Sequence, residues 1–260
     1  MTAPDAGDTE RRSGVLRVGV IGGDGRMGGV LRGLLAEDPR RTCARSFERN
    51  DAIDAAGIDV FVEFTDAAAV PSLAHTLRAL GRPWVSGTTG LGEAGRQALR
   101  EAADDIAVLW SPNVSLGVAV LHAPARRGGP VASSGMGDGA LRDAPHRQTG
   151  RPQRHGAGTR GGWTGIRSGA LRHGRHGATG PRPQGEVGMH ALRLPDVVGE
   201  HTIRLGGPKE MLELGHRAFD RAAFAQGALA AASWLSQRKA GLYTMSDWAE
   251  DRLRSRGSEA

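Results

Sequence analysis

A glycine turn between an apolar strand and an amphipathic helix constrains this chain more than any other feature. The run Val15 to Ile21 leads into Gly22-Gly23-Asp24-Gly25-Arg26-Met27-Gly28, and a helical pattern carrying Leu31, Leu34 and Leu35 follows. Glycines at Gly22, Gly25 and Gly28 let the backbone turn tightly, bring its amides against a pyrophosphate and pack the helix on the strand. The phosphate would then face the helix N-terminus, where amide donors and the helix dipole favour an anion. An acidic residue is expected about 20 residues further on. Glu48 fills that place and would hold a ribose hydroxyl, while Arg49 beside it would tolerate a 2′-phosphate. These residues point to a dinucleotide and leave open whether its ribose carries a 2′-phosphate.

The pattern continues through the first half. Ile58 to Phe64, Pro83 to Ser86 and Ile106 to Trp110 read as strands, and Val70 to Leu80, closed by Gly81, and Glu93 to Ala103 read as helices. Alternation of this kind predicts βαβ units on a parallel sheet. Ligands of such sheets bind beyond the carboxyl ends of the strands. Two further loops fall there: Gly87-Thr88-Thr89-Gly90 and Ser111-Pro112-Asn113-Val114-Ser115. Taken alone, the first is as well read as a plain strand-end turn, and Asn113 as an Asx turn after Pro112.

The last third differs. His190 to Leu194 and His201 to Leu205 alternate as half-buried strands, Gly206-Gly207-Pro208 turns the chain toward Met211 to Leu214, and Asp220 caps a long helix through Leu235. The expected fold is α/β: an N-terminal Rossmann-type parallel sheet, then an α+β domain whose sheet is mostly antiparallel or mixed. The expected divisions are a disordered start over 1–14, a dinucleotide domain over 15–121, an anomalous segment over 122–172, the rest of a substrate and oligomerisation domain over 173–219, and a helix and tail over 220–260 that pack back on the first domain.

The anomalous segment resists any periodic reading. Its few large apolar residues are scattered among Gly, Arg, Pro and His, too sparse to offset chain entropy, so it is expected to be disordered or poorly packed. It also concentrates the charge. Ten arginines between Ala123 and His176 face only Asp138 and Asp143, so a chain of net charge +6 is slightly acidic elsewhere. A basic-tract nucleic-acid binder, or a nucleotide-binding protein without catalysis, therefore stays open as an alternative. Trp163 is the one aromatic of the tract, which leaves base stacking little to use. His146, His155, His173 and His176 lack the spacing and acidic partners of a zinc site, so no metal is expected. Cys43 is the sole cysteine and reads as a small buried thiol in a reducing compartment. No run approaches a membrane span of roughly 18 apolar residues, and Met1 to Ser13 lacks the apolar centre of a secretory signal, so a cytoplasmic protein is expected.

The valine-rich strand with G-x-x-G-R-M-G, then Glu63-Phe64-Thr65, Gly87-Thr88-Thr89-Gly90 and Ser111-Pro112-Asn113-Val114-Ser115-Leu116-Gly117, together resemble the 4-hydroxy-tetrahydrodipicolinate reductase (dihydrodipicolinate reductase) family of lysine biosynthesis. Thr179-Gly180-Pro181-Arg182, Gly185-Glu186-Val187-Gly188, Gly199-Glu200-His201-Thr202 and Gly241-Leu242-Tyr243-Thr244-Met245 look like later landmarks of that family, in order. The resemblance implies reduction of a small cyclic dicarboxylate by NADH or NADPH in a homotetramer. It assigns Gly22, Gly23, Asp24, Gly25, Arg26, Met27, Glu48, Arg49, Gly87, Thr88, Thr89, Ser111, Pro112, Asn113 and Val114 to the dinucleotide, with Gly87 permitting close approach to the nicotinamide ribose.

The family's catalytic signature, H-H-x-x-K followed by D-A-P-S-G-T, is absent, so no catalytic residue is assigned. Codon overlap accounts for the gap. Read one nucleotide later, Asp143 into Ala144 permits Thr, the next two overlaps permit His twice, and Gln148 into Thr149 permits only Lys or Arg. Extended over Arg142 to Thr159, the displaced frame can spell E-T-H-H-x-x-K-x-D-A-P-S-G-T-A-L. The segment from about Ala123 to about Arg172 is therefore expected to be out of frame, with frame lost after Leu121 or His122 and regained before Thr179.

Overall fold

The computed structural model describes residues 14–121, 137–145, 171–183 and 186–257. Nearly all of the expected disordered start, and residues 122–136 and 146–170 of the anomalous segment, lie outside these.

Six strands form one parallel sheet: β1 (Leu16–Ile21), β2 (Arg41–Phe47), β3 (Val60–Glu63), β4 (Trp84–Ser86), β5 (Ala107–Trp110) and β11 (Gly241–Tyr243), in the order β11-β5-β4-β3-β1-β2. The central strands are apolar throughout because both faces are covered. On one face Val18, Val20, Val60, Val62 and Val85 pack with α1 (Arg26–Glu37) and α4 (Ala222–Leu235); on the other, Phe61, Trp84 and Val108 pack with α2 (Val70–Leu80) and α3 (Glu93–Ala103). Helix α2 ends as the sequence predicts: Gly81 takes φ 65° and its amide closes on the carbonyls of Leu77 and Arg78. Asp220, expected to cap α4, lies one residue before the N-cap Arg221, and its carboxylate accepts the Ala222 amide at 2.6 Å.

The second sheet has the order β10-β9-β6-β8-β7, from β6 (Gly137–Pro145), β7 (Leu171–His173), β8 (Val187–Leu194), β9 (Gly199–Gly206) and β10 (Met211–Ala218). The β10-β9 and β9-β6 pairs are antiparallel; β6-β8 and β8-β7 are parallel. It is thus mixed, one of the two forms expected, with antiparallel and parallel pairs in equal number. A correction concerns the anomalous segment. Gly137–Pro145, expected to be poorly packed, is the central strand of this sheet, in register with β8 from Asp138↔Val187 to Pro145↔Leu194. Ladder pairing uses backbone groups that every residue but proline carries, so it forms despite two glycines and two aspartates that strands disfavour.

Two strands had no clear sequence signal. β2 reads Arg-Thr-Cys-Ala-Arg-Ser-Phe, with polar residues at alternate and adjacent places, and β11 is three residues long. Cys43 lies on β2 and is half-buried, not fully buried as expected; burial pushes its thiol pKa up, with Arg32 opposing. His190 is exposed and His201 is buried.

Candidate functional site

Hydrogen bonds continue past the end of each central strand and line up the loops beyond. The Gly22 amide donates to Phe47 O at 2.8 Å, Phe64 N to Ile21 O at 3.3 Å, Gly87 N to Glu63 O at 2.9 Å and Ser111 N to Ser86 O at 3.2 Å. One edge of the sheet therefore carries the glycine turn, Glu48, the loop after β3, Gly87 to Thr89 and Ser111 to Val114. All the predicted cofactor residues stand on that edge.

Side chains added to the glycine turn would strike the protein itself. Gly22 has φ 81°, and a Cβ on Gly23 would fall 1.8 Å from Ser46 Oγ. A Cβ on Gly28 would fall 2.2 Å from Gly22 O, so the helix start can lie on the turn only with glycine there. Helix α1 has no side-chain cap and no acid in its first turn, which leaves its leading amides for a ligand. Ser46 Oγ is buried beside Gly23 with no hydrogen-bond partner among the described residues. This uncapped helix start behind a glycine turn fits a dinucleotide phosphate.

Glu48 lies against the turn: its Oε1 accepts the Asp24 amide at 2.9 Å. Arg49 is exposed beside it. Asp24 and Arg26 are also exposed, with Asp24 3.7 Å from Arg32. Gly87 is needed for a reason not foreseen, since a Cβ there would fall 2.1 Å from the Phe64 ring. Thr88 is buried at 2 % exposure, Thr89 is exposed, and the Trp110 indole donates to Thr88 O at 3.0 Å. Asn113 makes the Asx turn that the sequence left open, its Oδ1 accepting the Ser115 amide at 3.0 Å. Its amide NH₂ stays available. Ser111 Oγ donates to Asn113 O at 2.6 Å, and Val114 is buried, so Val114 offers its backbone and not its side chain.

Sequence reasoning assigned no role to the group at the centre of this edge. Glu63 is fully buried at the end of an otherwise apolar strand, and its carboxylate accepts the Thr65 amide and hydroxyl at 2.5 Å each, Ser86 Oγ at 2.7 Å and the Thr88 hydroxyl. A charged residue closing Val60-Phe61-Val62 was the available signal. The Ser115–His216 contact joins residues 101 apart and had none.

A separate cleft of about 880 Å³ opens at the opposite edge of the sheet, with Arg17, Arg40, Arg41, Arg82 and Arg252 in its lining. It is remote from the predicted site residues. Within the basic tract, Arg175 pairs with the buried Glu186, so part of that charge serves the fold and not a phosphate partner. Among the described residues there is no group of side chains suited to a metal and no helix long and apolar enough to cross a membrane.

Known proteins agree with this architecture. The N-terminal family model of dihydrodipicolinate reductase matches residues 16–114 and the C-terminal model matches residues 142–248. A 4-hydroxy-tetrahydrodipicolinate reductase of Gluconacetobacter diazotrophicus is 35% identical over 246 residues, covering 89% of this chain and 96% of that protein. One of Myxococcus xanthus is 37% identical over 246 residues, covering 90% and 89%. Among solved structures, a dipicolinate-bound dihydrodipicolinate reductase from Paenisporosarcina sp. TG-14 superposes with a TM-score of 0.69 at 17% identity, over 88% of this chain and 97% of that one. An engineered D-amino acid dehydrogenase bound to NADP+ has a TM-score of 0.55 at 16% identity, over 89% and 93%, and shares the fold. The chain belongs to the dihydrodipicolinate reductase family, NAD(P)H-dependent oxidoreductases of lysine and diaminopimelate biosynthesis.

Proposed function

We propose that the chain, in its intact frame, reduces 4-hydroxy-tetrahydrodipicolinate to tetrahydrodipicolinate with NADH or NADPH, as a cytoplasmic homotetramer. The observation that carries this is the gathering of the glycine turn, Glu48 and the loops after β4 and β5 on one sheet edge, in a chain matched by both family models. The cofactor supplies a hydride to the substrate ring. The chain's part is to hold it: α1 and the glycine turn take the pyrophosphate, Glu48 and Arg49 the adenosine ribose, and Gly87 to Thr89 with Ser111 to Val114 the nicotinamide half. The exposed Leu194 and Met211, which the register places on one face of the second sheet, support burial of that face between copies. The nucleic-acid alternative is not favoured.

The proton-handling groups fall within the displaced frame. β6 occupies the centre of the second sheet with Gly137-Asp138-Gly139 at its start and Pro145 at its end, residues that a paired central strand disfavours. Backbone topology and side-chain chemistry disagree there, as a frame shift would make them. The overlaps that permit the His-His pair fall between Ala144 and His146, at the end of this strand. With this sequence the chain lacks the His, Lys and S-G-T turn and should bind nucleotide without turning over substrate. The test is to restore the frame across 122–172, supply freshly made substrate and follow loss of reduced-nicotinamide absorbance. A gene sequence continuous on both strands with no compensating indels, or a restored chain that binds no nucleotide, would end this reading.

A further inference from the structure

Glu63 is a buried carboxylate with no cation within ion-pair distance among the described residues, and all of its partners are neutral: one amide and three hydroxyls. Burying a carboxylate without a counter-charge is costly even when it is hydrogen-bonded. A valine would continue the apolar run Val60-Phe61-Val62 at no such cost. The carboxylate does bind two loops together, since Thr65 belongs to the loop after β3 and Ser86 and Thr88 to the end of β4. Hydroxyls alone could do that. The retained charge calls for a further explanation.

Strand order supplies one. Glu48 follows β2 and the phosphate turn follows β1, so a dinucleotide laid along this edge passes from β2 to β1 and across β3 toward β4 and β5. The nicotinamide half comes last. Phe64 O would lie 2.7 Å from a Cβ on Gly22, so the loop carrying Glu63 packs against the phosphate turn on the nicotinamide side. When the ring gives up hydride to the substrate carbon, an electron pair leaves with it and the ring is left with one positive charge. We propose that Glu63 is a positioning residue that locks Thr65 and Thr88 beneath the nicotinamide half of the cofactor, and that its charge favours the cationic, oxidised ring over the neutral, reduced one. The proposal rests on the cofactor reading given above. A fixed anion in a water-poor site acts on a charge developing several ångströms away more strongly than the same pair would in water.

The test is the ratio of affinities for NADP+ and NADPH, measured by calorimetry on the full chain without substrate. Glu63→Gln keeps the acceptor and nearly the shape while removing the charge. It is expected to shift the ratio toward NADPH by on the order of tenfold, with NADPH binding little changed. Glu63→Asp keeps the charge and is expected to hold the wild-type ratio while weakening both. Glu63→Asn is a second neutral variant should the first fail to fold, and a folded state is confirmed by thermal melting. An unchanged ratio in a folded neutral variant overturns the proposal, because a merely structural role would weaken both forms alike. If the wild-type chain binds neither nucleotide, the cofactor reading itself has failed and takes this inference with it.

Discussion

Ser115 Oγ and His216 Nε2 lie 3.1 Å apart, joining the loop beyond β5 to the edge strand β10 of the second sheet. The imidazole is held close, since a Cβ on Gly117 would fall 2.4 Å from its Cδ2, and its Nδ1 is buried without a partner among the described residues. The His201 ring lies 5.7 Å away, centroid to centroid. Burial holds His216 below its ordinary pKa of 6.5.

Stability should therefore depend on pH at this contact. The imidazole is neutral in both states above 6.5; below it the unfolded chain gains a proton that the folded chain resists, so stability falls as pH falls through that value toward the lowered one. His216→Asn should cost about 1 kcal/mol near neutral pH and flatten the loss on acidification. Urea midpoints across a pH series check this, and parallel curves for the two proteins would refute it.

Gly28→Ala should be damaging because the clashing atoms are backbone: Gly22 O at 2.2 Å and Gly23 Cα at 2.5 Å. A loss of roughly 1–3 kcal/mol is expected, together with loss of the thermal shift on adding NADPH. Gly23→Ala meets Ser46 Oγ and Glu48 Oε1 and should abolish nucleotide binding with a smaller change in melting.

Cofactor preference should move with Arg49. The side chain is exposed and makes no ion pair among the described residues, so Arg49→Ala is expected to weaken NADPH by on the order of tenfold and leave NADH nearly unchanged. Fluorescence titration with both nucleotides decides it. Equal weakening would mean that Arg49 does not meet the 2′-phosphate.

Arg17 grips Asp59 with two side-chain bonds, at 3.1 and 3.3 Å, while its own amide donates to Asp59 Oδ2 at 2.8 Å. Burial raises the Asp59 pKa, but the bonds and charge of Arg17 outweigh it and hold the carboxyl below 3.8. This contribution is present above 3.8 and lost as pH falls through the lowered value. Arg17→Met should make acid unfolding begin at higher pH, which circular dichroism during acid titration would show.

The first sheet was legible because its signals are local. Val70–Leu80 with Gly81 after it, and Glu93–Ala103, carry helical periodicity and stop where expected. The glycine turn announces close backbone approach, which the distances around Gly23 and Gly28 bear out. What escaped depends on long-range pairing. β2 is patterned by its neighbours more than by its own residues, β11 comes from the far end of the chain, and Glu63 gains meaning only when Ser86 and Thr88 are brought to it. Gly137–Pro145 shows the converse, a strand set by its pairing partners against its own composition.

The position of β11 has a consequence for biosynthesis. This edge strand, and the alanine-rich α4 that covers one face of the nucleotide sheet, are synthesised after the other five strands of that sheet. The amino-terminal half cannot close its hydrophobic interior while it is being made; it must wait for residues 222–243. A transcript that slipped frame and never recovered would thus forfeit both halves of the molecule, not only the one beyond the slip.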